Sequence, residues 1–295
     1  MISIILTAYK EEKTIGKAID CFLNQKVDEE IEILVACPDE ETKAVVNKYE
    51  KKYKNIHHIQ DPGKGKPIAL NICFKKAKGD KLILSDGDVY VSNNSINELI
   101  KELNKENVGA VTGRPTSLNS RASMLGYFSH LLTDLGAHDT RQKYIQQGKF
   151  IVCSGYLFAM KKVISSLPED ALSDDAVITH LINEKGYKIG YAPKARVYVK
   201  FPTHFKDWIT QKKRSAGGYN QLKQYFPNRK RMRSFWKEIA EGWYKPFTYP
   251  QTFKEFLWTC WLYFCRLYLW FKIYKDINIK KQEFSKVWVR VESTK

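Results

Sequence analysis

The sequence predicts an α/β fold: a mixed, mostly parallel, Rossmann-like sheet with helices on both faces, followed by a helical, aromatic-rich C-terminal region. Three observations predict it. Short aliphatic runs alternate with amphipathic stretches through the first half. Polar and acidic residues gather just past those runs. Aromatic and basic residues crowd the last third. A chain of 295 residues can bury such a core without disulfides or a structural metal.

The elements follow in chain order. Residues 2–7, 32–37, 81–84 and 108–112 are short, apolar and rich in Ile, Leu and Val, as buried strands are. The first has no basic stretch before it and no cleavage site, so it reads as a strand rather than a signal peptide. Residues 14–25 place Ile15, Ala18, Ile19, Phe22 and Leu23 at helical spacing. Residues 40–53 and 67–78 read as the next helices, with Asp39 and Pro67 near their starts. The six cysteines show no metal or disulfide spacing and read as reduced, mostly buried thiols.

In an open parallel sheet, ligands bind beyond the carboxyl ends of the strands. Thr7, Tyr9 and Glu11 follow the first run, and Asp39 follows the second. Asp86-Gly87-Asp88 follows the third. Two carboxylates around a glycine suit a hard divalent ion, Mg²⁺ or Mn²⁺, and also suit a plain surface turn. The loop at 61–67 is basic and glycine-containing and opens a helix. It is an anion site or a solvated loop, and it lacks both standard nucleotide-binding spacings. Asp174 and Asp175 stand at the start of an amphipathic stretch. They favour the helix dipole there, and one of them can serve as a general base, since an ordinary aspartate (pKa about 3.9) is ionised at neutral pH. Gln211 and Arg214 share one side of a helix, where a guanidinium can face a diphosphate or simply solvent.

In this order and at these intervals, the motifs resemble glycosyltransferase family 2, the inverting enzymes with the GT-A fold. The resemblance covers roughly residues 1–218. Its most specific part is Ser173-Asp174-Asp175, Gly186-Tyr187-Lys188-Ile189, Ala192-Pro193-Lys194-Ala195, Pro202-Thr203 and Gln211-Lys212-Lys213-Arg214, which looks like the acceptor half of the hyaluronan, chitin and cellulose synthase branch. The resemblance implies donor contacts at Thr7, Tyr9, Glu11, Asp39, Lys66, Asp86 and Gln211. It implies a divalent metal at Asp86 and Asp88, with Asp88 the more direct ligand, and catalytic roles for Asp175 as base and Arg214 on the leaving group. The segment 150–155 looks like that branch's acceptor-site strand, which puts Cys153, Ser154 and Gly155, with Asp174, on the acceptor side. The expected reaction moves a sugar from a nucleoside-diphosphate sugar, commonly a UDP-sugar, to a hydroxyl of a glycan or lipid-linked acceptor. The branch's Gln-x-x-Arg-Trp motif ends here in Ser215 instead of Trp. That departure, with no series of long apolar spans, favours single addition over processive synthesis.

The domain boundary is expected at 218/219, with a basic, aromatic region over 219–295. The net charge is +17, and residues from 203 onward carry +13 of it. Between residues 251 and 274, 10 of 24 side chains are Phe, Tyr or Trp. Such a segment suits a membrane surface, helped by the basic run at 229–233, and equally suits a helix packed on the catalytic domain or a dimer contact. The expected location is cytoplasmic, peripheral at the inner face of the cell membrane. A nucleotidyltransferase would leave Asp175 and the Gln211–Arg214 pair unexplained. A nucleic-acid-binding protein, suggested by the basic tail, would leave the three acidic positions without purpose, so no nucleic acid is expected.

Overall fold

The computed structural model describes residues 1–228, 244–275 and 294. The basic run at 229–233 lies outside the described residues. In chain order the first elements are β1 (Ile2–Thr7), α1 (Ile15–Leu23), β2 (Ile31–Cys37), α2 (Glu40–Lys52), β3 (Ile56–Gln60), α3 (Lys66–Lys76), β4 (Lys81–Asp86), β5 (Tyr90–Val91), α4 (Ser95–Leu103) and β6 (Val108–Ser117). Then come α5 (Met124–Thr133), a π-helical stretch (Asp134–Asp139), α6 (Thr140–Gln146), β7 (Leu157–Lys161), α7 (Asp174–Glu184), β8 (Lys188–Val199), α8 (Phe205–Tyr225) and α9 (Phe253–Tyr274). The fold is the expected mixed α/β, GT-A-like architecture with a helical C-terminal region.

The eight strands form one sheet in the order β3-β2-β1-β4-β7-β6-β8-β5. β3, β2, β1 and β4 run parallel, while β7 pairs antiparallel with β4 and β6. β1 is the strand at which the order reverses: β2 lies on one side of it and β4 on the other. In open α/β sheets such a reversal is where ligands bind, here past the carboxyl ends of β1 and β4. The four expected strands are present. β3 escapes a reading by hydrophobic run because Ile-His-His-Ile-Gln is mostly polar, which an edge strand tolerates.

The chain divides into two compact units. The first comprises Met1–Pro115 and Arg141–Val199; the second comprises Thr116–Thr140 and Lys200–Lys295. The boundary expected at 218/219 falls inside α8. In the first unit, α1 turns Ile15, Ala18, Ile19 and Phe22 inward, and β1 is buried along its whole length. The second unit has its own core, in which Leu125, Tyr127, Phe128 and Leu131 meet Trp208 and the inner stripe of α9. Arg121 ties that core together: its Nε and Nη2 donate to the two carboxylate oxygens of Glu255 at 2.6 and 2.9 Å, and Nη2 also donates to the Tyr249 carbonyl at 3.2 Å. All six cysteines are free thiols.

Candidate active site

The centre of the site is set by strand register. Thr7 pairs with Asp86 at the ends of β1 and β4. The Thr7 hydroxyl donates to Asp86 Oδ1 at 3.4 Å, and the Gly87 N–H donates to the Thr7 carbonyl at 2.9 Å. Gly87 has a negative φ, so a left-handed turn is not what it supplies. A Cβ there would stand 2.8 Å from the Ala8 Cβ, so glycine is needed for close approach of the two strand ends. Asp88 follows on the turn, partly buried. Its charge, together with burial as the larger cause, raises the Tyr90 phenol above its ordinary value.

Lys66 reaches this point from the start of α3. Gly65, at φ 122°, lets the loop enter the helix, and Pro67 fixes the first turn. The ammonium lies 2.7 Å from Asp86 Oδ1 and 3.2 Å from Asp174 Oδ2. Burial alone would lower its pKa. The charges of Asp174 and Asp86 outweigh that and hold the ammonium above the ordinary lysine value. Asp174 therefore does more than complement the helix dipole. It is the far anchor of a Lys66 bridge that joins the end of β4 to the start of α7.

Asp175 sits beside it in the first turn of α7. Its Oδ2 accepts from the Gly155 N–H at 2.9 Å. Its Oδ1 accepts from the Ser173 hydroxyl at 2.9 Å and from the Ala176 N–H at 2.8 Å. Three donors fix the plane of one carboxylate. Burial pushes its pKa up and the neighbouring Asp174 charge adds to this, against the Ser173 hydrogen bond and Lys66. A raised, oriented carboxylate is what a general base at neutral pH requires.

The segment 150–155 is not a strand; the strand β7 begins at Leu157. Its backbone donors go to side chains instead. The Cys153 N–H donates to Thr179 Oγ1 at 3.1 Å, Ser154 N–H to Thr112 Oγ1 at 3.0 Å, and Gly155 N–H to Asp175. Three donors taken by side chains of two elements, α7 twice and β6 once, leave no ladder to form. The Cys153 thiol is buried, and burial pushes it up to about 12, so it is not a nucleophile at neutral pH.

At the β1–α1 loop, Asp39 caps α2 through the Thr42 N–H at 2.9 Å and accepts from the Lys10 N–H at 2.8 Å. Burial would raise its pKa, but these donors prevail and lower it. Glu11 is buried and accepts from the Thr14 hydroxyl at 2.9 Å, while Tyr9 is exposed. Gln211 and Arg214 belong to the second unit, three residues apart on α8 and both partly buried; Ser215 is exposed. Reading the sequence assigned no role to Ser173, Thr112 and Thr179. Ser173 adjoins the acidic pair and could have been found, whereas nothing local marks the two threonines.

A divalent ion would need oxygen ligands. Among the described residues no group of three or more His, Cys, Asp or Glu side chains forms a ready cage. Two carboxylates suit Mg²⁺ or Mn²⁺ when substrate phosphates and water complete the shell. Both bonds to Asp86 named above fall on Oδ1, the oxygen for which Lys66 would compete with an ion. The donor set fits an ion shared with a diphosphate.

A family model described as Glycosyl transferase family 2 matches residues 3–167, more than half of the chain. The chain belongs to this family. The matched span carries Thr7, Lys66, Asp86, Asp88 and Gly155, and Asp174 and Asp175 follow it. Among curated relatives, a probable glycosyltransferase of Bacillus subtilis (strain 168), YdaM, is 28% identical over 232 residues, covering 74% of this chain and 54% of the relative. The hyaluronan synthase of Streptococcus pyogenes is 26% identical over 171 residues, covering 54% of this chain and 41% of the relative. The chain thus spans about half the length of these family 2 relatives. Among solved structures, the mannosyltransferase PcManGT of Pyrobaculum calidifontis, in complex with GDP-Man and Mn²⁺, superposes with a TM-score of 0.61 at 15% identity, covering 97% of this chain and 82% of that one. That likeness is one of fold.

Proposed function

We propose that the chain is an inverting glycosyltransferase that moves a sugar from a nucleoside-diphosphate sugar to an acceptor hydroxyl, one residue per encounter. The observation that carries this reading is Asp175: a partly buried carboxylate with raised pKa, held by three donors, beside the Lys66 bridge at the carboxyl ends of β1 and β4. Asp175 takes the proton from the acceptor hydroxyl as its oxygen attacks the anomeric carbon, and the nucleoside diphosphate leaves from the opposite face. Thr7, Tyr9, Glu11 and Asp39 hold the base and ribose. Lys66 attracts the diphosphate and keeps Asp86 and Asp174 in place. Asp88, with Asp86, would hold Mg²⁺ or Mn²⁺, which when bound would offset the charge developing on the leaving diphosphate. Gln211 and Arg214 are assigned to the same diphosphate on the strength of the family motif alone.

The resemblance to the hyaluronan synthase branch favours a uridine donor, and the fold shared with a GDP-mannose enzyme keeps a guanosine donor in play. Ser215 in place of the motif's Trp supports single addition. A glycan or lipid-linked acceptor at the inner face of the cell membrane fits the basic, aromatic C-terminal region. Turnover of a panel of UDP- and GDP-sugars, with Mn²⁺, with Mg²⁺ and with chelator, tests the reading. One sugar should be consumed only with metal, and Asp88→Ala should lose roughly 100-fold or more of that activity. Turnover of no donor, or full activity in Asp88→Ala, would sink it.

A further inference from the structure

Helix α9 wears its apolar residues on both sides. One stripe, Thr259, Leu262, Cys265, Leu269 and Ile273, is buried in the core of its own unit. The opposite stripe faces outward: Phe253 is 76% exposed, Leu257 52%, Trp261 53%, Phe264 62%, Tyr268 46% and Phe271 62%. Steps of three and four residues keep these side chains on one side of the helix along its length. A helix on a protein surface ordinarily turns charged groups to water. Here Glu255 is turned inward, bound by Arg121, and by helical spacing Arg266 falls on the inward side too. Lys254 and Lys272 are 18 residues apart, a whole number of turns, so both border the outward stripe along the same edge. Phe205 of α8 stacks on Tyr268 at 6.5 Å and is itself exposed, which widens the patch.

We infer that this outward face of α9 is a membrane-docking surface, lying in the plane of an anionic bilayer with its rings at the acyl boundary and Lys254 and Lys272 at the headgroup phosphates. The inference rests on the proposed placement at a membrane. Charge decides the occupant. Residues 244–275 carry five Lys or Arg and one acidic group, and that one, Glu255, is engaged by Arg121 inside the unit. Among the described residues of α9, the charged side chains that border the outward stripe, Lys254 and Lys272, are positive. A second copy of the same face would set lysine against lysine, whereas anionic lipid complements it. Crossing the bilayer does not fit, because the inner stripe is occupied by the unit's own core. Among the described residues no helix is long and apolar enough to span.

The test uses the full chain and vesicles of phosphatidylcholine with or without phosphatidylglycerol. Wild type should co-sediment with the phosphatidylglycerol vesicles, less so at high salt, with a blue shift of tryptophan emission. Trp261→Ser/Phe264→Ser/Phe271→Ser should weaken binding by roughly 100-fold. Lys254→Glu/Lys272→Glu, checked for folding by circular dichroism, should weaken it by roughly 10-fold or more and flatten the salt dependence. Hydrolysis of soluble donor should be unchanged in both. Wild type that ignores anionic vesicles, variants that bind like wild type, or a wild-type dimer that the triple variant converts to monomer without any vesicle binding would each overturn the inference. Vesicle binding without turnover of any donor would leave it standing and count against the enzymatic reading instead.

Discussion

The two units treat charge in opposite ways. In the α/β unit, carboxylates and a lysine are drawn in from three elements and held at the carboxyl ends of β1 and β4: Lys66 between Asp86 and Asp174, and Asp175 under three donors. In the helical unit, Glu255 is held internally by Arg121, and apolar rings are turned outward along α9. Concentrated charge shifts pKa values and prepares chemistry. An uncharged, ring-bearing face prepares contact with something apolar. On the proposed function and the docking inference, that contrast sets the proposed base in one unit and the proposed attachment face in the other.

Four substitutions break or sharpen that contrast, from the largest effect to the smallest. Asp175→Asn removes the proposed base and should lower sugar transfer by roughly 1,000-fold, measured as product formed at saturating donor. In the wild type the rate should fall as acid protonates Asp175. Because its pKa is raised, that acid limb lies above the range of an ordinary aspartate. A limb at ordinary aspartate values would remove Asp175 from the role.

Arg121→Ala strands the buried Glu255 and should destabilise the helical unit by about 2–4 kcal/mol in chemical denaturation, with the chemistry of the α/β unit intact. The pH dependence has a definite sign. The Arg121 hydrogen bond lowers the Glu255 pKa from an ordinary 4.5, so this contribution is complete above about pH 4.5 and is lost as pH falls through the depressed folded value. Equal stability of wild type and variant at pH 7 would contradict it.

Lys66→Met takes a positive charge away from Asp175, whose pKa should rise further. The acid limb of the rate should then move up, and Lys66→Arg should bring it back. An unmoved limb would mean that Lys66 does not act on the base. The smallest effect is expected from Thr112→Val, which leaves the Ser154 N–H without its acceptor and should cost about 1–2 kcal/mol of stability, read from the denaturation midpoint. Its activity at neutral pH should stay close to wild type.

The four apolar strands, the first helices and the acidic positions were legible because each depends on local pattern: aliphatic runs for β1, β2, β4 and β6, helical spacing for Ile15 to Phe22, and polar residues at strand ends. β3 was not, since its His pair hides an edge strand inside a polar string. The stretch 150–155 reads as a strand by its residue types, yet Thr112, Thr179 and Asp175 take its backbone donors from elsewhere in the chain.

The metal-suited carboxylates at Asp86 and Asp88, and the acidic pair at Asp174 and Asp175, were determined by the sequence alone, because carboxylates just past a strand or at a helix start are a local signal. Which of them pairs with Lys66, which is held by three donors, and why Gly87 must be glycine were decided only by tertiary structure. Those outcomes depend on strand order, on the register that sets Thr7 beside Asp86, and on burial, and none of these is a property of neighbouring residues. The aromatic richness of α9 was likewise plain in the sequence. Which rings pack inward and which face out was settled by the core that α5 and α8 offer to one side of the helix.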